Sequence, residues 1–260
     1  MLKLLAAFCG LLGLAIGSFL NVVIYRVPRQ LSIVRPGSAC PSCGAPIALR
    51  DNIPVLSWLM LQRRCRICQA SIAWRYPLVE LGTGLLFAGS VLRLGANLAL
   101  PAYLALFAGL VVLAWIDVVH LVLPSEIVYP LLAFVSVSLL IDAAAAGSWH
   151  RLFVAVICSL SWFGLFFVMN LASSRILGFG DVRLAPILGL ALGWLGVGYV
   201  LVGFFLANLI GAIVGVTLIA TKRMKRDQPI PYGVFLAIGT ALAIFAGPVL
   251  LAPFAHLSVR

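Results

Sequence analysis

Charged residues are scarce in this chain, which has only 7 Asp and Glu and 18 Lys and Arg among 260 residues. Charged side chains make up 10% of the sequence and hydrophobic ones 63%, and the mean hydropathy is +1.17. Soluble domains are about 25% charged and roughly 45–50% apolar, so this chain has too little polar surface to cover a globule. The composition therefore excludes a soluble protein and indicates an integral membrane protein.

The sequence also lacks a long internal repeat, a low-complexity tract, a glycine-rich nucleotide loop and a basic surface interleaved with aromatic residues. We therefore attribute its formal net charge of +11 to basic residues in cytoplasmic loops, which set the orientation in the membrane and contact the anionic headgroups of membrane lipids. We expect no nucleic acid partner.

A membrane-spanning helix needs roughly 20 mostly apolar residues. The sequence predicts eight such segments, of which the sixth is short and meets the seventh at a tight "GVGY" turn. They are 4–25, 77–94, 98–118, 127–146, 152–172, 183–197, 199–220 and 234–256. The first segment is too long for a signal-peptide core and has no small-residue cleavage site, so we interpret it as a retained helix.

The distribution of basic residues predicts the orientation. Cytoplasmic loops carry the excess of Lys and Arg. With the N-terminus outside and residues 26–76 in the cytoplasm, four basic residues lie outside: Lys3, Arg93, Arg151 and Arg260. Fourteen lie inside: Arg26, Arg29, Arg35, Arg50, Arg63, Arg64, Arg66, Arg75, Arg175, Arg183, Lys222, Arg223, Lys225 and Arg226.

Small residues recur four apart on the sixth and seventh predicted segments, and such stripes let helix backbones approach closely in lipid. They are Ala185, Gly189 and Gly193, followed by Gly203, Ala207, Gly211 and Gly215. We expect these stripes, and the lone cysteines Cys9 and Cys158, to serve packing.

The polar region 26–76 carries eight arginines, one acid and two C-x2-C pairs, Cys40 with Cys43 and Cys65 with Cys68. It is too short for a self-sufficient apolar core. Two C-x2-C pairs separated by 21 residues are typical of a structural zinc site, in which four thiolates complete the tetrahedron. A pair of redox dithiols is an alternative, and disulfides are another if the loop is not cytoplasmic. The predicted fold is an all-α polytopic membrane protein with a small cytoplasmic zinc-ribbon-like domain between its first two spans.

Two aspartates lie at the ends of apolar segments, both on the predicted cytoplasmic side of the membrane. Asp117 ends the third segment in "LAWIDVVHLVLPSE", and Asp181 opens the sixth in "LGFGDVRLAP". Each alone is explained as an interfacial polar residue, and Asp181 as a helix N-terminal cap. Two acids at one membrane face favour function. If they meet, one carboxyl keeps a proton as acid and the other, as base, activates a water. Gly178 and Gly180 would let a substrate strand approach.

Several stretches together resemble one family. "GFGD" at 178–181 fits the GxGD signature of membrane aspartyl proteases, and it is joined by "GSFLNVVIYRVPR" at 17–29, the paired C-x2-C motifs, "RYPLVELGTGLLF" at 75–87 and "IDVVHLVLP" at 116–124. In this order they resemble the bacterial type IV prepilin peptidases over residues 10 to about 245.

The resemblance implies an enzyme of the bacterial inner membrane with Asp117 and Asp181 as catalytic pair at the cytoplasmic face. It implies cleavage after a glycine of the basic leader of type IV prepilins or type II secretion pseudopilins. It also implies methylation of the new N-terminus from S-adenosylmethionine. The expected domains are the first helix at 1–25, a cysteine-rich domain at 26–76 with zinc and the methyltransferase, and a peptidase domain at 77–260.

The chain departs from the family pattern at two places. Ser125 and Glu126 follow "LP" where an aspartate is usual, which affects the expected substrate contacts of that loop. Arg183 replaces a lysine two places after Asp181 and preserves the charge; with Gly178 and Gly180 it is a candidate for the substrate loop.

Other polar residues have simpler explanations. We expect His120 to be incidental, Asp142 to be a helix-end polar residue and Glu80 to form an ion pair with Arg26 or Arg75. The basic segment 222–226 is most simply a topology anchor. Asn21 and Arg26 either pack the polar region on the membrane or hold the methyl donor, and the sequence does not separate these roles.

Two other functions fit the residues. A proton-coupled transporter would use the two aspartates for proton movement and the cysteine loop for regulation, and discontinuous helices near the bilayer midplane would favour it. A zinc-ribbon scaffold would recruit partners without catalysis. The position of both acids at helix ends on one face favours the peptidase.

Overall fold

A computed structural model describes residues 1–172, 178–225, 228 and 230–253 of the chain. The described residues form nine α-helices and no β-strand, which confirms the predicted all-α class. In chain order the helices are α1 (Leu2–Arg26), α2 (Leu56–Met60), α3 (Arg75–Leu94), α4 (Leu100–His120), α5 (Ser125–Ala146), α6 (Trp149–Ala172), α7 (Phe179–Leu195), α8 (Val197–Ala220) and α9 (Tyr232–Leu251). The predicted positions Arg175, Arg226, Arg260 and 254–256 lie outside the described residues.

Each of the eight predicted apolar segments corresponds to one long helix, and the short α2 was not predicted. Seven of these helices are long and apolar enough to cross a membrane. The eighth, α7, has 17 residues, which is the lower limit for a span. The protein is therefore a multi-pass membrane protein.

Glycine and proline residues lie at several ends of the helices. Gly196 joins α7 to α8 with φ 131°, which only glycine adopts without strain, and it forms the tight turn expected from "GVGY". Gly147 ends α5 in the left-handed conformation, and Pro124 precedes the first turn of the same helix.

The chain divides into two compact units, residues 1–96 and 97–260. In the first unit, α1 packs against α3 at glycine contacts. A Cβ atom on Gly13 would lie 2.8 Å from the Gly84 Cα, and one on Gly17 would lie 2.7 Å from the Glu80 Cα. These distances are below van der Waals contact, so glycine is what lets the two backbones approach.

In the second unit α7 is the central helix, since most of its residues are buried. It packs on α6, where a Cβ on Gly189 would lie 2.6 Å from the Cys158 carbonyl oxygen. Next to it, α8 packs on α9, where a Cβ on Gly239 would lie 2.7 Å from the Ala207 amide nitrogen. The packing role predicted for the small-residue stripes is thereby confirmed, and Cys9 and Cys158 are buried as expected.

Candidate active site and metal centre

Asp117 lies in the last turn of α4 and is 5% exposed. Its carboxyl group interacts with the backbone N–H groups of Gly233 and Val234, in the first turn of α9. The N–H groups of a first helical turn have no partner in their own helix, and they favour a negative charge. Asp117 Oδ2 is buried and has no hydrogen-bond partner among the described residues, so one carboxyl oxygen remains for another ligand.

Asp181 lies in the first turn of α7 and is 7% exposed. Gly178 is the N-cap residue of this helix, and the Asp181 carboxyl group reaches back to its backbone N–H. Asp181 is thus not the N-cap residue that the simpler interpretation predicted, but its position three residues after Gly178 is that of the acceptor in a capping box. It also lies close enough to Asp117 for the two carboxyl charges to interact. The structure thus brings the two aspartates together.

One side chain of the α4–α5 connection holds these helix ends in place. Leu123 is 7% exposed, and a Cβ atom on Gly180 would lie 3.0 Å from the Leu123 Cβ. A Cβ on Gly233 would lie 3.2 Å from the Leu123 Cδ2 and 2.9 Å from Asp117 Oδ2. Glycine at 180 and at 233 therefore lets the first turns of α7 and α9 both pack against Leu123.

A tyrosine and an asparagine complete the surroundings of Asp181. The hydroxyl group of Tyr232 donates a hydrogen bond of 3.1 Å to Asn208 Oδ1 on α8. The charge of Asp181 reaches this hydroxyl group. The phenol is thus fixed in direction beside the aspartate pair.

Arg183 stacks between two aromatic rings, with its Cζ 4.7 Å from the Phe179 ring centre and 5.9 Å from that of Tyr129. Its buried Nε has no hydrogen-bond partner in the described part of the chain. Gly178 and Phe179 at the start of α7 are exposed. The three substrate-loop candidates are therefore within the first two turns of α7 or at its N-cap.

The four predicted metal ligands also come together. The Sγ atoms of Cys40, Cys43, Cys65 and Cys68 all lie within 4.8 Å of one another. The two C-x2-C segments have the same backbone hydrogen bonds, which form two equivalent knuckles. The amide of Cys40 donates to the carbonyl of Ala45, and that of Cys65 donates to the carbonyl of Ala70. The left-handed residue of the first knuckle is Gly44 and that of the second is Gln69.

The cysteine cluster fits a tetrahedral zinc ion. A Zn–S bond of about 2.3 Å gives sulfur–sulfur edges of about 3.8 Å in a tetrahedron. The Cys40 and Cys68 sulfur atoms are 3.8 Å apart. Backbone N–H groups of Cys43 and Ser42 lower the pKa of Cys40 to about 6. The N–H of Ala70 lowers the pKa of Cys68, but the neighbouring sulfur of Cys43 and the other thiols outweigh it and raise this pKa to about 12. Four thiolates this close need a bound cation.

The rest of the polar region is held by side-chain contacts. Arg66, inside the second knuckle, donates two hydrogen bonds of 2.6 and 2.8 Å to Asp51. These bonds hold the pKa of Asp51 below its usual value. The Trp58 and Trp74 rings are 4.4 Å apart, and the Trp58 indole N–H donates to the carbonyl of Ile72. A four-cysteine cluster, an ion pair and an aromatic pair therefore take the place of a large core.

The expected ion pair of Glu80 was wrong. In the part of the chain that the structure describes, Glu80 pairs with neither Arg26 nor Arg75. Its Oε2 instead accepts a hydrogen bond of 2.7 Å from the Val55 amide, and its carboxyl group also interacts with the Ser18 hydroxyl. Arg26 donates to the carbonyls of Ser32 and Gly37, which satisfy it locally.

The other polar residues occupy simple positions. The Asn21 amide donates to the Tyr76 carbonyl and joins α1 to the start of α3. His120 is exposed at the end of α4, and Asp142 is buried in the last turns of α5. Lys222 and Arg223 are exposed just after α8.

Comparison with known proteins now adds to this geometry. The family profile described as the bacterial peptidase A24 N-terminal domain matches residues 11–94, and that of the type IV leader peptidase family matches residues 104–216. The chain belongs to the type IV leader peptidase family. All five stretches quoted for the resemblance lie within the matched residues.

Three relatives are named prepilin leader peptidase/N-methyltransferase. The protein of Aeromonas hydrophila is 37% identical over 91% of this chain and 89% of its own length. That of Myxococcus xanthus is 43% identical over 88% of this chain and 69% of its own length. That of Pseudomonas aeruginosa is 34% identical over 91% and 89%. No solved structure gives a significant match. Membership in this family does not support the transporter alternative.

Some residues of the site were not predicted from the sequence: Leu123, Asn208, Tyr232 and Gly233. The segment "PYG" at 231–233 precedes an apolar run, a pattern that predicts the start of a helix. It does not reveal that this helix start faces Asp117, because that depends on how α4 and α9 pack.

Proposed function

We propose that this chain is a membrane aspartyl endopeptidase that removes the leader peptide of type IV prepilins or pseudopilins and then N-methylates the new N-terminus. Family membership and the names of the relatives support both activities. The observation that carries the peptidase is the meeting of Asp117 and Asp181, two buried carboxyl groups from the ends of different helices.

The pair acts as one acid–base unit. Two carboxyl groups whose charges interact do not readily ionise together, so the pair shares one proton. The ionised member removes a proton from a water molecule, whose oxygen attacks the carbonyl carbon of the leader glycine. The protonated member stabilises the developing oxyanion and then the C–N bond breaks, with the proton passing to the leaving amine. The first turns of α7 and α9 hold the two carboxyl groups in place. Asp117 Oδ2 still has no hydrogen-bond partner among the described residues, so it is available to the water or the substrate.

The first turns of α7 supply the surface for the extended substrate. Gly178 has no side chain to exclude a strand, and it is exposed. Arg183 presents a fixed guanidinium between two rings. We assign these residues and Gly180 to substrate binding, next to the cleavage site.

The partition of the chain follows the two activities. Residues 77–260 contain the aspartate pair and form the peptidase domain, while residues 26–76 form a cysteine-rich domain after the first helix. Cys40, Cys43, Cys65 and Cys68 would hold a structural zinc ion, which closes the loop between the two knuckles and takes no part in the reaction. S-adenosylmethionine would supply the methyl group as a co-substrate.

The enzyme is placed in the bacterial inner membrane with the N-terminus outside and the catalytic pair at the cytoplasmic face. The support for this orientation is the excess of basic residues in the loops assigned to the cytoplasm. Contact of these loops with anionic lipid headgroups follows from the same charge.

The test is cleavage of a prepilin by purified protein carrying Asp117→Asn or Asp181→Asn. Asparagine keeps the size of the side chain and cannot exchange the proton, so we expect each variant to lose cleavage by at least about 10³-fold. Asp142→Asn is the matched control, because Asp142 is also a buried carboxyl group of the same unit. Cleavage by both variants at the wild-type rate would refute the peptidase assignment and reopen the scaffold alternative.

A further inference from the structure

The polar region contains one apolar stretch, "NIPVLSWLML" at residues 52–61, which we call the apolar segment. Seven of its ten residues are Ile, Val, Leu, Met or Trp, and the short helix α2 forms within it. The segment is too short to cross a membrane. Apolar stretches of about this length are typical of buried core helices or of segments that enter the membrane surface without crossing.

The two faces of α2 differ in burial. Ser57 and Trp58 are buried. Leu56, Leu59 and Met60 are exposed, and because they are spaced i, i+3 and i+4 they lie together on the opposite face. Met60 is 78% exposed, so this apolar face has no protein partner among the described residues. An exposed apolar face of this kind indicates an interaction surface.

Helix α3 shows how deep this face lies. With 20 residues α3 is about 30 Å long, which only just spans the hydrocarbon core of a bilayer. Its first residue, Arg75, therefore lies at the membrane surface. Glu80 is five residues further, about 7.5 Å along the helix, and its Oε2 accepts the Val55 amide at 2.7 Å. Val55 directly precedes α2, so α2 begins below the membrane surface, at the level of the second turn of α3.

Helix α1 indicates a similar depth. Asn52 and Pro54 border a cavity whose α1 wall includes Ala15 and Phe19. Helix α1 ends at Arg26, and Phe19 and Ala15 lie about 10 and 16 Å before that end along the helix. Both spans therefore place the start of the apolar segment beside the helices and not beyond their ends.

The backbone of the segment suits surroundings without water. Val55, with φ 62° and ψ −49°, is the centre of a γ-turn closed by a 2.6 Å bond from the Leu56 amide to the Pro54 carbonyl. The Ile53 amide donates to the Ser57 hydroxyl, and the Ser57 amide donates to the Ile53 carbonyl. Since the Val55 amide is bonded to α3 and proline has no N–H, every backbone N–H from 53 to 57 has an acceptor. Irregular backbone at membrane depth requires such pairing.

Arginines follow the segment where the chain leaves this depth. Arg63 and Arg64 come two and three residues after its end. The Cζ atom of Arg63 is 5.4 Å from the ring centre of Trp74, the N-cap residue of α3, so the chain has returned to the membrane surface at residue 63. Apolar side chains below the surface and arginines at it complement the acyl chains and the anionic headgroups of one leaflet.

We propose that the apolar segment inserts into the boundary between headgroups and acyl chains, with Leu56, Leu59 and Met60 in contact with lipid. The partner of this face is therefore the anionic leaflet in which α3 begins. The proposal extends the lipid contact included in the proposed function and does not depend on cleavage or methylation. Because the buried Trp58 packs on Trp74, the inserted helix fixes the cysteine-rich region on the membrane.

The first experiment identifies what covers the exposed face. The full chain, with the photoreactive residue p-benzoylphenylalanine in place of Met60, is irradiated in nanodiscs of phosphatidylethanolamine and phosphatidylglycerol, and the products are identified by mass spectrometry. The matched control carries it in place of Ile67, an exposed apolar residue inside the second knuckle. We expect lipid adducts in clear excess at residue 60. Attachment to residues 97–260 or to a second copy, or lipid adducts in no excess over residue 67, would overturn the proposal.

The second experiment tests the surroundings of Met60 by charge. A side chain that is exposed to water tolerates a carboxylate, whereas one in contact with acyl chains does not. We expect Met60→Glu to lower the midpoint of thermal unfolding in the same nanodiscs by about 2–4 °C, while Met60→Leu and the control Ile67→Glu leave it unchanged. A wild-type midpoint for Met60→Glu would contradict insertion. Neither experiment uses a prepilin, so failure of the proposed peptidase would be recognised separately.

Discussion

Replacing Gly233 by alanine places a Cβ atom 2.9 Å from Asp117 Oδ2 and 3.2 Å from the Leu123 Cδ2. Ordinary van der Waals contact begins at 3.4 Å, so the carboxyl oxygen or the start of α9 must move by about 0.5 Å. The direction of this shift matters because the first turn of α9 supplies the N–H groups that face Asp117. Alanine at this position therefore displaces the carboxyl group relative to Asp181.

A misplacement of about 1 Å in an active site costs about 10²-fold in rate, and productive geometry requires placement within about 0.5 Å. We therefore expect Gly233→Ala to lower kcat for prepilin cleavage about tenfold, with KM near the wild-type value because the substrate loop is unchanged. The assay is steady-state cleavage of a prepilin by the purified protein, with product mass read by mass spectrometry.

Gly164→Ala is the matched control, since Gly164 is a helical glycine of the same unit with no atom within 4 Å of an added Cβ. We expect it to retain full activity. A Gly233→Ala protein that is folded and cleaves within twofold of the wild-type rate would refute this reasoning. It would mean that the start of α9 does not position Asp117 for the reaction.

Three further outcomes follow from the contacts. Tyr232→Phe removes the 3.1 Å hydrogen bond to Asn208, and we expect kcat to fall about fivefold, the equivalent of one hydrogen bond of about 1 kcal/mol. Asn208→Ala should add little to that variant, and additive losses in the double variant would contradict a shared role. Gly44→Val places a β-branched residue at φ 72°, and we expect faster loss of zinc to a chelator, measured by a colorimetric zinc assay. Gly37→Ala, in open space without a positive φ, should hold zinc like the wild type. Gln69→Gly relieves the same strain in the second knuckle, so we expect slower zinc loss, and a faster loss would show that the left-handed residue does not limit the site.

The sequence was sufficient for several features. The lack of charge and the 20-residue apolar runs determine a multi-pass helical protein, because the backbone in lipid must satisfy its own hydrogen bonds. The spacing of Cys40, Cys43, Cys65 and Cys68 determines a four-sulfur cluster, since each knuckle forms from residues close in the chain. The stripe from Gly203 to Gly215 similarly indicates a close helix contact without naming the partner helix.

Only the tertiary structure decided which helix ends meet. Asp117 and Asp181 are 64 residues apart, and their encounter depends on the packing of α4, α7 and α9 around Leu123. The expected ion pair of Glu80 failed for the same reason. The prediction of an ion pair assumed that a buried carboxyl group has a basic side chain next to it. In the structure, the close α1–α3 contact and the turn at Val55 instead place neutral hydrogen-bond donors beside the Glu80 carboxyl group. Local patterns determine elements and knuckles, but the surroundings of a buried carboxyl group are set by residues distant in sequence, which the packing alone selects.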